Sequence, residues 1–214
     1  MAARYAELDD RLQRFIAAQR VFFVATAAAG GRINLSPKGM DSLRVLGPRR
    51  IAWLNLTGSG NETAAHLQSA PRITLMFCSF DREPLILRVY GSARAIHRRE
   101  PGWAEAVAAF PPLPGARQVI DVAIDLVQTS CGQAVPFYDF RAERNQQRIW
   151  LERLGEDGLH DYWAEANTSS LDGTDTGIVE RSLDDAERSR QRARDGARRQ
   201  AAGSGSHGGK ATAG

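Results

Sequence analysis

Cysteine is scarce in this chain: two residues in 214, Cys78 and Cys131. Two so far apart make no disulfide framework, and a reducing, cytoplasmic setting is expected. Long apolar runs are absent as well. None approaches the roughly 20 residues that span a bilayer, and the opening MAARYAELDD carries acids where a secretory leader has its apolar core. Histidine is sparse, and His66, His97, His160 and His207 show no metal-ligand spacing with Cys, Asp or Glu. No metal centre is expected, and His66 reads as a surface or packing residue of a helix. Nucleophilic machinery is lacking too. Cys131 in Ser130-Cys131-Gly132 has no histidine near it in sequence and reads as an ordinary buried thiol. Asp121 and Asp125 stand at alternate strand positions rather than as an acid–base pair.

Positive charge is missing from the body of the chain although the whole carries +3. Residues from Arg181 onward hold seven Arg and one Lys against four acids, which is +4, so residues 1–180 carry −1. A basic tail with a neutral body argues against nucleic acid as the partner, even though clustered arginines have nonspecific phosphate affinity. RSLDDAERSRQRARDGARRQ has the make-up of a solvated helix, and SGSHGGKATAG after it has a disordered composition. The chain therefore divides into a folded body over residues 1–178 and a basic, disordered tail over residues 179–214.

What is present is a β-rich pattern. Hydrophobic residues at 43% and charged residues at 25% are globular values, and the length suits one domain or two small ones. Leu8, Leu12, Phe15 and Ile16 repeat at helical spacing, predicting a helix over 9–20. Strands are predicted over 21–27, 32–35, 42–46, 51–55, 72–80, 85–97 and 119–129. The turns Gly30-Gly31, Gly47-Pro48-Arg49-Arg50 and Asp81-Arg82-Glu83-Pro84 separate several of them. Helices are predicted over 101–110 and 141–154. Short turns imply an antiparallel sheet, and six or more such strands close to hide their edges. The expected fold is mainly β with peripheral α-helices, an antiparallel barrel.

The most informative stretch is Ile51 to Ile96. A strand runs into Gly58-Ser59-Gly60, Asn61-Glu62-Thr63 then opens a short helix ending near Ser69, and two strands follow. Such a loop presents free N–H groups at the positive end of a helix dipole, a site for phosphate or another anion. The same residues are also ordinary N-capping chemistry. Upstream, Arg32 to Leu46 reads as two strand-like runs on either side of Pro37-Lys38-Gly39, and a cation at that strand end can meet the same anion.

In this order the segments SPKG, NLTGSGNETAAHL and LILRVYGSARAI resemble the pyridoxamine 5'-phosphate oxidase-like family, the FMN-binding split β-barrels. TSCGQAVPFY (129–138) and NTSSLDG (167–173) are similar to one subgroup of it, and the resemblance covers roughly residues 10–178. It implies a split-barrel homodimer with FMN in the groove between subunits. By motif, Ser36 and Lys38 would face the phosphate or ribityl chain. Trp53, Leu54 and Asn55 would run along the ring, and Ser59, Gly60, Asn61, Glu62 and Thr63 would form the phosphate loop. Arg88 is the second cation after Lys38. Two departures matter. The authentic oxidase reads Ser-Arg-Lys in that loop where this chain reads Ser-Gly-Asn, so Lys38, Arg32 or Arg88 must supply the missing charge. The oxidase also ends in an Arg- and His-containing segment, replaced here by the basic tail, so pyridoxamine phosphate oxidation is not expected.

The resemblance therefore implies a flavin-dependent oxidoreductase of unidentified small-molecule substrate, with hydride transfer to or from the flavin. Alternatives are an F420-dependent reductase and a non-catalytic flavin or haem binder. Neither a membrane nor nucleic acid is expected as a partner.

Overall fold

The computed structural model describes residues 2–204. In chain order these form β1 (Ala3–Tyr5), α1 (Asp10–Ala18), β2 (Phe22–Thr26), β3 (Asn34–Lys38), β4 (Leu43–Gly47), β5 (Arg50–Leu56) and α2 (Glu62–Ser69). Then follow β6 (Arg72–Cys78), β7 (Leu85–His97), α3 (Trp103–Val107), β8 (Ala116–Cys131), α4 (Gln146–Ala166), α5 (Ile178–Ser182) and α6 (Asp185–Ser204). The fold is mainly antiparallel β with peripheral helices, as the strand pattern implies.

One eight-stranded sheet runs in the order β3-β2-β6-β7-β8-β5-β4, every pairing antiparallel, with β1 added to the far end of β8. The sheet curls. Phe22 of β2 and Trp53 of β5 are separated on that path by three strands, yet their rings meet edge to face at 6.4 Å. Both belong to one buried cluster with Leu75, Leu87, Val89 and Ile120, filled by the inward alternation of each strand. A second cluster, including Leu54, Ile96 and Val119, lies on the outer face under α3. The path leaves β3 and β4 as the two ends of the sheet, consecutive in sequence but unpaired with each other. The barrel is open between them.

Local chemistry explains the first helix and the turn at this opening. Asp9 caps α1 by accepting from the Leu12 N–H at 2.8 Å, and Leu12, Phe15 and Ile16 bury its apolar stripe. The turn from β3 to β4 is strained: Met40 and Asp41 both take positive φ, 61° and 33°, conformations sparsely used by residues with a side chain.

Several boundaries differ from expectation, each for a physical reason. Pro37 and Lys38 lie inside β3 rather than in a turn, because β3 is an edge strand, where a missing N–H is tolerated. β1, too short to carry a pattern, was not foreseen. α4 starts at Gln146 and reaches Ala166, interrupted at Gly155, whose φ of 61° breaks the helical run. The boundary at 178/179 falls inside α5, and α6 follows it over Asp185–Ser204. Ile178 and Leu183 are buried with Leu151, Leu159 and Trp163 in a third cluster, and the solvated helix read from composition is α6. Arg194 pairs with Asp161, and His160 with Glu187, which ties α6 to α4. The low-complexity segment lies, after Ser204, outside the described residues.

Candidate functional site

At the opening of the barrel lies a groove of about 370 Å³. β3 contributes Ser36 and Lys38, the end of β5 contributes Leu54 and Asn55, and the loop and first turn of α2 contribute Ser59, Gly60, Asn61, Glu62 and Thr63. These nine predicted residues, from three separate elements, line one groove. Trp53 does not join them. On a pleated strand it points opposite to Leu54, into the barrel core, and it is fully buried there. Arg88 is also elsewhere: it lies mid-sheet on β7, opposite Gln128, and donates to Ser130 Oγ at 3.1 Å. Arg32, the other candidate cation, pairs with Asp172 on the surface.

The second cation of the groove is Arg117, on β8, which the sequence reading did not single out. It is 2% exposed. Nη1 donates to Asn167 Oδ1 at 2.7 Å and Nη2 to Gly60 O at 2.6 Å, while Nε has no partner among the described residues. Neither acceptor is charged. A buried guanidinium normally meets a carboxylate, since burying an unpaired charge costs several kcal/mol. Burial accordingly pulls the Arg117 pKa down to about 9.

Lys38 faces the same region without an ion-pair partner among the described residues. Burial, and secondarily the Arg117 charge, lower its pKa to about 8. Glu62 is the one acid lining the groove, and its carboxylate is engaged by the Leu171 N–H at 3.0 Å. α2 opens without a side-chain cap: Asn61 makes no capping bond, and its Oδ1 is buried without a partner among the described residues. The simple capping role open to Asn61 is thus not taken, and the start of α2, with Glu62 in its first turn, lines the groove that also holds Lys38 and Arg117.

The lowered Lys38 pKa has a testable sign. The fold penalises its charged form, so the ligand-free protein gains stability as pH rises from about 8 toward 10.5, where the unfolded chain holds more protons. Bound phosphate favours the charged form and must raise the pKa. Lys38 and Lys210 are the only lysines, so reductive ¹³C-methylation places one ε-dimethyl NMR signal on each. We expect one signal to titrate near 8 without phosphate and measurably higher with it. Ordinary lysine titration of both signals, insensitive to phosphate, would take Lys38 out of the groove.

Among the described residues, no group of three His, Cys, Asp or Glu is placed to hold a metal ion. Cys78 is buried and Cys131 is exposed at the end of β8, both free, so the expectation of a buried thiol fails at Cys131, where the sheet ends. No described helix is long and apolar enough to cross a membrane.

Fold and groove together define an open antiparallel barrel with Lys38, Arg117 and the start of α2 gathered around a groove at its opening. Residues 8–131 match the pyridoxamine 5'-phosphate oxidase family model. The chain is also 38% identical, over 187 aligned residues that cover 79% of it and 75% of the relative, to the pyridoxamine 5'-phosphate oxidase family protein ustO of Aspergillus flavus. The chain belongs to the pyridoxamine 5'-phosphate oxidase family. Solved structures with similarity include a protein of Clostridium acetobutylicum related to general stress protein 26 (14% identity, TM-score 0.45, covering 58% of this chain and 91% of that one). Another is an FMN-binding protein of Syntrophomonas wolfei (16% identity, TM-score 0.39, covering 53% of this chain and 78% of that one).

Proposed function

We propose that the groove binds FMN through its phosphate and that the protein is a flavin-dependent oxidoreductase acting on a small molecule. The observation that carries this reading is the buried Arg117, without an acidic partner among the described residues and set beside Lys38 and the start of α2, whose Asn61 makes no capping bond. A phosphate monoester at neutral pH approaches a double negative charge, which two cations and a helix N-terminus balance. Arg117 also accounts for the departure in the loop, since a cation from β8 stands in for those lost where this chain reads Ser59-Gly60-Asn61. Leu54 and Asn55, which line the groove, are where the ring would begin. A bound flavin supplies two-electron redox chemistry that no side-chain set of the groove supplies.

The chain's own residues do the rest. Lys38 and Arg117 take the charge, the α2 amides orient the phosphate, and the apolar Leu54 limits water on one wall. The test is quenching of flavin fluorescence on titration with purified protein. FMN should bind at least about ten-fold tighter than riboflavin, which lacks the phosphate, because one charge-assisted contact is worth about 1.5–3 kcal/mol. Equal affinities would reject the phosphate assignment. No binding of either flavin would reject the cofactor, and a preference for F420 would replace it.

A further inference from the structure

The loop Thr57 to Gly60 is held from outside the barrel, by side chains that α4 and the residues after it carry across. Gln147 Nε2 donates to Thr57 O at 2.8 Å, and the Trp163 indole donates to Thr57 Oγ1 at 2.8 Å. Asn167 makes the most connections. Its Nδ2 donates to Gly58 O at 2.9 Å and Ser59 O at 3.4 Å, and its Oδ1 accepts from Arg117 Nη1 at 2.7 Å. Its own carbonyl accepts from Asn61 Nδ2 at 3.4 Å and Thr176 Oγ1 at 2.6 Å. One fully buried carboxamide thus joins the Gly-rich backbone to the guanidinium, the two halves of the cradle.

The choice of a neutral side chain has a consequence. An aspartate at 167 would pair with Arg117 and consume its charge within the fold. A carboxamide orients the guanidinium and leaves the charge uncompensated. Asn167 also lies beyond residues 8–131, the span of the family model, on the connection between α4 and α5.

We propose that Asn167 is a positioning residue of the anion cradle, holding Arg117 through an uncharged acceptor so that its charge serves the ligand, and that the α4–α5 connection docks more tightly when the cradle is filled. This rests on the reading of the groove as a phosphate site. The coupling must be reciprocal: if docking of the connection organises the cradle, a bound anion stabilises the docking.

The experiment compares FMN and riboflavin affinity in the wild type, Asn167→Ala and Asn167→Asp. Asn167→Ala should bind FMN about ten-fold more weakly, on the scale of one lost charge-assisted bond, while riboflavin affinity stays within about two-fold. Asn167→Asp, although isosteric, should bind FMN more weakly still, because its carboxylate pairs with Arg117 and repels phosphate. A merely structural asparagine predicts the opposite. FMN and riboflavin affinities would fall together, or Asn167→Asp would lie closer to wild type than Asn167→Ala, and either result overturns the proposal. A wild type that binds FMN no better than riboflavin fails earlier and overturns the phosphate reading itself. Should both variants unfold, hydrogen exchange on the wild type decides. The amides of Asn167 and Thr176, which donate to Trp163 O and Thr168 O, should exchange more slowly with saturating inorganic phosphate. Exchange unchanged by phosphate overturns the proposal.

Discussion

Replacing Arg117 with methionine should weaken FMN binding by at least about a hundred-fold. The guanidinium is almost fully buried and has no acidic partner among the described residues, so its interaction with a phosphate is desolvated, and two charge-assisted bonds are worth about 3–5 kcal/mol. Lys38→Ala removes a single, partly exposed ammonium and should cost less, roughly ten- to a hundred-fold. Riboflavin affinity should change little in either variant. The ligand-free stability of Arg117→Met should stay within about 1 kcal/mol of wild type, because two effects oppose each other. Removing an uncompensated buried charge is favourable, while Asn167 Oδ1 and Gly60 O lose their donors. Flavin quenching and thermal unfolding read the two effects separately. An Arg117→Met protein that binds FMN as tightly as wild type would remove the cation at the centre of the proposed site.

The largest expected loss of stability comes from Gly91→Ala. Gly91 sits on β7 where the register against β8 shifts after Tyr90. A Cβ there would lie 2.1 Å from Ala123 O, 3.0 Å from the carbonyl carbon of Ala123 and 3.2 Å from Ile124 Cα. All three are backbone atoms of the neighbouring strand, so no rotamer change relieves the clash. The strands must separate at the most extensive pairing of the barrel. Glycine marks such close approaches between strands, and overpacking against backbone costs about 3 kcal/mol or more. For a chain of this size that is a fall of roughly 6–12 °C in the unfolding midpoint. Gly47→Ala, where an added Cβ meets nothing within 4 Å, is the control and should unfold near wild type. A Gly91→Ala protein as stable as that control would show that β7 and β8 can part at this point without cost.

Local pattern decided much of this molecule. Alternation of Ile73, Leu75 and Phe77 in Arg72–Cys78, and the apolar, aromatic-rich run Phe22–Thr26, dictate strands with one face inward. The spacing of Leu12, Phe15 and Ile16 dictates α1, and Gly58-Ser59-Gly60 before Asn61 marks a helix N-terminus able to face an anion. Lys38 was legible because it stands at a strand end, between Pro37 and Gly39. Such features depend on neighbours a few positions apart, and short-range chemistry is what a sequence displays directly.

Tertiary structure alone decided the rest. Nothing in Ala116–Cys131 distinguishes Arg117 from an exposed strand arginine such as Arg94, which pairs with Asp121 on the surface. Arg117 differs because α4 and the residues after it cover that end of β8, and its partner Asn167 lies 50 positions away. Trp53 was misplaced in the groove for a related reason. Position along β5 was readable, but which face turned inward depended on where the sheet curled, a matter of β2 meeting β5 across three intervening strands. The packing of Ile178 and Leu183 is equally illegible from composition, since they acquire a buried surface only once Trp163 is in place. Burial of a charge and the facing of a strand are set by contacts distant in sequence, and composition and periodicity carry no record of them.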